Sequence, residues 1–287
     1  MSFRSLMLHV YYRLQYPGRA LVNAERAARG MAPVMVLAYH RIADDAATPW
    51  TQSTASFANQ IRWLKRHFDL VSLAEAQRRI HSGRNHRAAA SVTFDDGYAD
   101  NCRAAIPLLI REGIPCTYFV ASGAVLEGVP FYHDAHVGKR LALNTPDEIR
   151  EMAAAGIEIG NHSQTHLDLG QVHDLDTLYR EVVTSGEELS NLTGKPVRYF
   201  AFPFGHPPNM NAEVFRLARE HGYLGVCSAY GGYNFPGDDA FHLQRIMADD
   251  ELIRLKNWMT VDPRKLAGIK RFEYGDAEWS AAAGAST

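Results

Sequence analysis

The chain has 287 residues, 46% of them hydrophobic and 22% charged, with a formal net charge of −2. This composition supports a large core, excludes a disordered chain, and gives no reason to expect nucleic acid as a partner. The three cysteines, Cys102, Cys116 and Cys227, are odd in number and widely spaced, so they read as small core hydrophobes and not as a disulfide framework or a zinc-site pattern.

Residues 1–30 carry five Arg against one Glu, interleaved with Phe3, Leu6, Leu8, Tyr11, Tyr12 and Leu14. They read as a basic, amphipathic appendage with two outcomes open, peripheral contact with an anionic membrane or an ordinary helix packed on the rest. No run approaches the roughly 20 apolar residues that span a bilayer. The short apolar start is broken by His9 and Arg13, and no small-residue cleavage site follows closely. The expectation is a cytoplasmic protein whose first thirty residues are its candidate membrane contact.

Val34–Tyr39 is a continuous apolar run, as in a buried parallel strand. Ser56 is placed to cap a helix with Phe57, Ile61 and Leu64 on one face. Val71–Leu73 reads as a short strand, Leu73–Ile80 as a helix and Arg79–Arg87 as a surface loop. The strand Ala90–Phe94 ends at Asp95-Asp96-Gly97, a helix over Asn101–Glu112 stops at Gly113, and Thr117–Val120 is a strand. Ala121–Leu143 is irregular, and a long loop at a strand end in an α/β chain is often functional. A helix over Thr145–Ala155, with Pro146 in its first turn, closes at Gly156. The strand Ile157–Ile159 then runs into Asn161-His162-Ser163-Gln164-Thr165-His166. Leu175–Thr193 is a helix ending at Gly194, Tyr199–Phe202 a strand, Ala212–His221 a helix ending at Gly222, and Leu224–Cys227 and Phe241–Leu243 strands. Residues 31–275 are expected to form one domain and 276–287 a frayed tail. Alternating strands and helices make this an α/β chain, either a closed barrel or an open parallel sheet. The polar motifs follow strands, which in barrel enzymes is the catalytic face.

Three segments carry chemistry. Asp95 and Asp96 are adjacent carboxylates at the end of an apolar strand, costly to bury unless a metal or cation meets them. Alone, a helix cap and Asp-Gly turn explains them as well. His162 and His166, four apart, would share one face of a helical turn and could reach one metal. One carboxylate and two imidazoles leave coordination positions open, as a catalytic metal requires. Arg198-Tyr199-Phe200-Ala201-Phe202-Pro203-Phe204-Gly205 reads by itself as a strand ending in a turn.

In this order the three segments resemble polysaccharide deacetylases of carbohydrate esterase family 4, the NodB-homology domain, over about Val34 to Met247. The resemblance implies a distorted (β/α) barrel of about seven parallel strands. It implies one divalent metal ion, usually Zn2+, on Asp96, His162 and His166, with Asp95 as catalytic base. Pro203, Phe204 and Tyr98 fall on the substrate side, the Phe204 N–H matching the oxyanion contact. The implied substrate is an N-acetylated amino-sugar polysaccharide or glycan, and the Phe-Ala-Phe-Pro-Phe-Gly form resembles the exopolysaccharide branch. The chain departs from the pattern twice. Ala201 stands where the family has the Arg that orients the base, and Arg245 is the candidate to replace it in space. The family's late Leu-x-His is not clear, so the general acid is assigned to His40, after Leu37-Ala38-Tyr39, with His242 as the alternative. Two other readings stay open, a related barrel amidohydrolase acting on a small amide or lipid-linked sugar, and an idle carbohydrate-binding protein.

Overall fold

The computed structural model describes residues 3–269 and 271–275, so the tail at 276–287 lies outside the described residues. Its strands are β1 (Val34–Tyr39), β2 (Arg41–Ile42), β3 (Thr51–Gln52), β4 (Asp69–Leu70), β5 (Ala89–Phe94), β6 (Cys116–Val120), β7 (Glu158–Asn161), β8 (Tyr199–Ala201), β9 (Gly225–Cys227), β10 (His242–Leu243) and β11 (Arg245–Met247). The main sheet runs β10-β9-β8-β7-β6-β5-β1-β11, parallel throughout, with β4 paired to the start of β5. β10 and β11 flank Gln244 in one segment. The first half pairs with β9 and the second with β1, so a single piece of chain joins the two ends of the sheet. Asn234 makes the bend possible. Its carboxamide oxygen accepts from Gln244 N and its amide nitrogen donates to Gln244 O, replacing the strand partner the bend removes. The result is a distorted (β/α) barrel.

Period-two alternation sorts each strand's residues between two environments. Val34, Val36, Ala89, Phe119, Tyr199, Ala201, Cys227 and Leu243 form one buried cluster in the barrel interior. Their neighbours Met35, Leu37, Tyr39, Ala90, Val92, Tyr118 and Val120 face outward, packing with Phe57, Ile61 and Leu64 of one helix and Ile149 and Met152 of another. The interior is filled mostly by small side chains, and the Phe119 ring fits only because residue 160 is glycine. A Cβ at Gly160 would lie 2.4 Å from Phe119 Cδ1.

Local chemistry moves several boundaries. The helix expected to be capped by Ser56 spans Thr54–His67, because Ser53 Oγ accepts from Ser56 N one turn earlier. The strand expected at Val71–Leu73 lies at Asp69–Leu70, since Ser72 caps the next helix, Leu73–His81. The segment Ala121–Leu143 carries two short helices, Ser122–Glu127 and Tyr132–His136. The helix expected over Leu175–Thr193 contains a π-helical stretch, Arg180–Thr184. His162 and His166 do not sit on a helical turn. They lie in a loop in which Ser163 (φ 69°) and His166 (φ 60°) are left-handed.

Residues Phe3–Ala28 form a single helix with Pro17 inside it. The helix is packed onto the domain. Arg19, 4% exposed, donates to Asn257 Oδ1 at 3.1 Å and pairs with Asp262 at 3.3 Å. Tyr11 donates to Asp262 at 2.8 Å, and Asn23 to Thr260 O at 2.9 Å. Among the described residues no helix is long and apolar enough to cross a membrane.

The Gly160–Phe119 contact yields a test. Gly160→Ala should lower unfolding free energy by about 1–3 kcal/mol, the usual cost of overpacking a tight core. Adding Phe119→Leu should return part of that loss in a urea-denaturation cycle. Purely additive losses would mean that the two positions do not compete for space.

Candidate active site

Four loops meet at the C-terminal ends of the strands. After β5, Asp95 and Asp96 turn inward, Asp96 in the left-handed conformation (φ 75°). After β7 come His162 and His166, and after β8 comes Phe204 (φ 59°). These residues, with His40, line a cavity of about 190 Å³ that Trp50, His133, Phe202, Ala229 and Met247 complete.

Asp96, His162 and His166 offer three ligand atoms to a common point. Asp96 Oδ1 lies 3.4 Å from His162 Nε2 and 3.3 Å from His166 Nε2. It is buried without a hydrogen-bond partner. Such a carboxylate oxygen calls for a cation. A separation of about 3.3 Å is also the edge of a tetrahedron whose centre-to-ligand bonds are about 2.05 Å, the length of zinc–nitrogen and zinc–oxygen bonds. The His162 ring is oriented by its other nitrogen, 2.8 Å from Ala201 O. A carbonyl only accepts, so Nδ1 carries the proton and Nε2 presents a lone pair toward Asp96. The His166 loop is fixed by Glu181, which is buried in the π-helical stretch. Its carboxylate accepts from Gln164 N and Thr165 N, both at 2.9 Å, and from Thr165 Oγ1 at 2.6 Å. The residues present therefore fit a divalent metal.

Asp95 is paired from the opposite side. Arg245 Nη1 donates to Oδ1 at 2.6 Å and Nη2 to Oδ2 at 2.8 Å, a bidentate contact. The guanidinium also donates to Thr93 Oγ1 at 3.2 Å and Ser228 O at 2.8 Å, and it lies over the Phe119 ring. Burial would raise the Asp95 carboxyl, and the Arg245 charge outweighs it, holding it below its ordinary value.

His40 lines the cavity. Phe204 is half exposed at its mouth, 5.0 Å from the His166 ring, and Pro203 lies in the preceding turn without lining the cavity. Tyr98 stands behind the wall, its hydroxyl donating to Asp134 at 3.1 Å and lying 3.0 Å from His133 Nε2. His242 is not brought to the cavity. It is buried 3.0 Å from Ser228 Oγ among Phe215, Tyr230 and Tyr274. Its position inside the last-strand segment, one residue before the inward-facing Leu243, turns its ring outward.

Sequence reasoning missed Trp50, His133 and Glu181. Trp50 and His133 also line a second, larger space of about 750 Å³ with Phe131, Tyr132 and Leu167, opening from the first past Phe204. The aromatic run Phe131-Tyr132-His133, inside the segment without periodicity, was the available signal. Nothing in the sequence pointed to Glu181, whose role depends on a helix bulge.

Fold and cavity together define a parallel barrel with a carboxylate–imidazole centre at the C-terminal ends of its strands, the enzymatic face of such barrels. The sequence profile of the polysaccharide deacetylase family matches residues 82–226, and the chain belongs to that family. It is 23% identical over 220 residues to the poly-beta-1,6-N-acetyl-D-glucosamine N-deacetylase of Staphylococcus aureus (strain MRSA252), covering 73% of this chain and 72% of that protein. It is 29% identical over 141 residues to the polysaccharide deacetylase YxkH of Bacillus subtilis (strain 168), covering 49% of this chain and 44% of that one. The chain thus spans less than half the length of the latter. Among solved structures it resembles IcaB from Ammonifex degensii, with a TM-score of 0.64, 23% identity and coverage of 80% and 97%. Streptococcus pyogenes PplD gives a TM-score of 0.65, 21% identity and coverage of 80% and 99%. At these identities the structural likenesses establish the fold.

His242 provides a pH test. Burial lowers its pKa from 6.5 to about 4. Between these values the folded ring is neutral while the unfolded chain binds a proton, so stability falls as pH drops from 6.5 to about 4. The loss should be on the order of 2–3 kcal/mol. His242→Gln should remove this component from the difference between urea transitions at pH 7 and pH 4.5. Equal pH dependence in both proteins would show that the ring charges in place.

Proposed function

We propose that the protein is a metal-dependent hydrolase that removes N-acetyl groups from an N-acetylated amino-sugar polysaccharide and releases acetate. One observation carries the reading. A buried, unpartnered carboxylate oxygen faces two imidazole nitrogens at tetrahedral spacing, beside a second carboxylate held ionised by an arginine. Asp96, His162 and His166 hold the metal, and a donor set of two nitrogens and one oxygen suits Zn2+. Such an ion supplies Lewis acidity toward the acetyl carbonyl and acidity to water. Residues 31–275 are the deacetylase domain, with the helix Phe3–Ala28 packed on it.

The chain's own groups account for the proton movements. Asp95 accepts a proton from the attacking water as its oxygen bonds to the acetyl carbon. Arg245 keeps that carboxylate ionised and fixes its plane through both oxygens. His40, across the cavity, donates a proton to the sugar nitrogen as the carbon–nitrogen bond breaks, leaving a free amine and acetate. The Phe204 backbone N–H stabilises the developing oxyanion. The apolar space beyond Phe204, walled by Phe131, Tyr132 and Trp50, is where neighbouring sugar rings would stack.

Acetate release from N-acetylated glucosamine oligomers, assayed with and without chelator, tests the reading. The zinc-loaded protein should turn over and the chelated protein should not. Asp95→Asn should lower kcat at least 10²-fold while metal content stays near one per chain, and His166→Ala should lose most of the metal. Turnover unaffected by chelation, or equal metal in His166→Ala, would refute the assignment.

A further inference from the structure

The N-terminal helix turns a face rich in polar groups to the domain and leaves an apolar stripe to water. A surface helix normally turns its apolar stripe to the core and its polar face to water. In Phe3–Ala28 the residues toward the domain include the buried Ser5 and Arg19, and Tyr11 and Asn23 bond to it. The opposite stripe is Phe3, Met7, Val10, Leu14, Pro17 and Leu21, spaced three and four residues apart. Phe3 is 79% exposed, Leu14 75% and Leu21 73%. Of the large hydrophobic side chains exposed among the described residues, eight belong to this helix. A contiguous apolar stripe left to water marks an interaction surface.

Charge selects the occupant. Arg4 and Arg13 are exposed and border the stripe. The helix has no acidic residue before Glu25, which is paired with Arg29 at 2.6 Å. Two copies pairing along this stripe would place the bordering arginines against each other, the like-charge arrangement that opposes helix pairing. Pro17 lies within the stripe and interrupts a regular seam. An anionic lipid surface meets both features, taking the apolar side chains into the acyl boundary and the arginines at the headgroups. At 26 residues the helix is about 39 Å long and would lie in the plane of the interface.

We infer that the helix Phe3–Ala28 docks the protein, peripherally, on an anionic membrane through its outward apolar stripe, with the catalytic domain held on the helix's polar face. This goes beyond the deacetylase reading and does not rest on it, because its readout is lipid binding.

The test uses the full chain and sedimentation with vesicles of phosphatidylcholine alone or mixed with phosphatidylglycerol. Wild-type protein should bind the mixed vesicles at least tenfold more than the neutral ones at low salt. Leu14→Asp with Leu21→Asp, both exposed, should lose that binding tenfold or more with an unchanged far-ultraviolet spectrum and thermal midpoint. Arg4→Glu with Arg13→Glu should abolish the preference for anionic lipid. Wild-type protein left in the supernatant, or undiminished binding by the Leu14→Asp, Leu21→Asp variant, would overturn the inference. A dimer in light scattering that the same variant dissociates would also overturn it, assigning the stripe to a second copy.

Discussion

A guanidinium shut off from water must be neutralised where it lies, and in this barrel that requirement joins fold closure to the chemistry of the site. Arg245 is fully buried on β11, the strand half that closes the sheet against β1. β1 separates it from β5, and Val36 is in register with both Arg245 and Ser91. The side chain therefore starts level with Ser91, two inward positions before Asp95, and follows the interior past Thr93 to reach the carboxylate. Small side chains at Val36, Ala201 and Cys227 leave the room it needs. Desolvating both charges costs several kcal/mol per ion, and only the bidentate geometry with the added bonds to Thr93 and Ser228 offsets it. Removing either partner leaves the other charged and unpaired in the core.

The other side of the site is held by strained backbone. Six non-glycine residues have positive φ among the described residues; three of them, Asp96, His166 and Phe204, line the cavity, and a fourth, Ser163, follows His162 in the same loop. Left-handed conformations in non-glycine residues cost on the order of 1 kcal/mol or more each and persist where surrounding bonds over-determine them. Here the determinants are visible. Ser163 Oγ accepts from His166 N, Glu181 collects the next two backbone amides, and Ala201 O orients the His162 ring. Glu181 can do this because the π-helical stretch around it re-aims one turn of the helix toward the loop.

Much of this architecture was legible in the sequence because it rests on local pattern. The apolar runs of β1 and β5 and the alternation of strands with helices led to a parallel barrel, and the family motifs lay at strand ends. Other features depend on relations that no local pattern records. The spacing of His162 and His166 suggested a helical turn, but two left-handed residues bring the rings together in a loop. Ser56 looked like a helix cap, and Ser53 outcompeted it. Pairing between Arg245 and Asp95, 150 positions apart, could be guessed only from the absence of an arginine at position 201. Trp50 and His133 enter the cavity from segments with no period. The amphipathicity of the first thirty residues was plain, but the side turned to the domain could be read only from packing, which places the buried Ser5 and Arg19 there.

In the proposed mechanism Arg245 takes the place of the family's arginine, where this chain has Ala201, and keeps the Asp95 base ionised. The most direct measurement is the pH dependence of acetate release by zinc-loaded Arg245→Met. Without the Arg245 charge, burial weighs more heavily on Asp95 and its pKa rises, so the acidic limb of the profile should move to higher pH. Turnover should fall about 10²-fold or more, with metal content unchanged. An acidic limb and kcat matching those of the wild-type protein would contradict it.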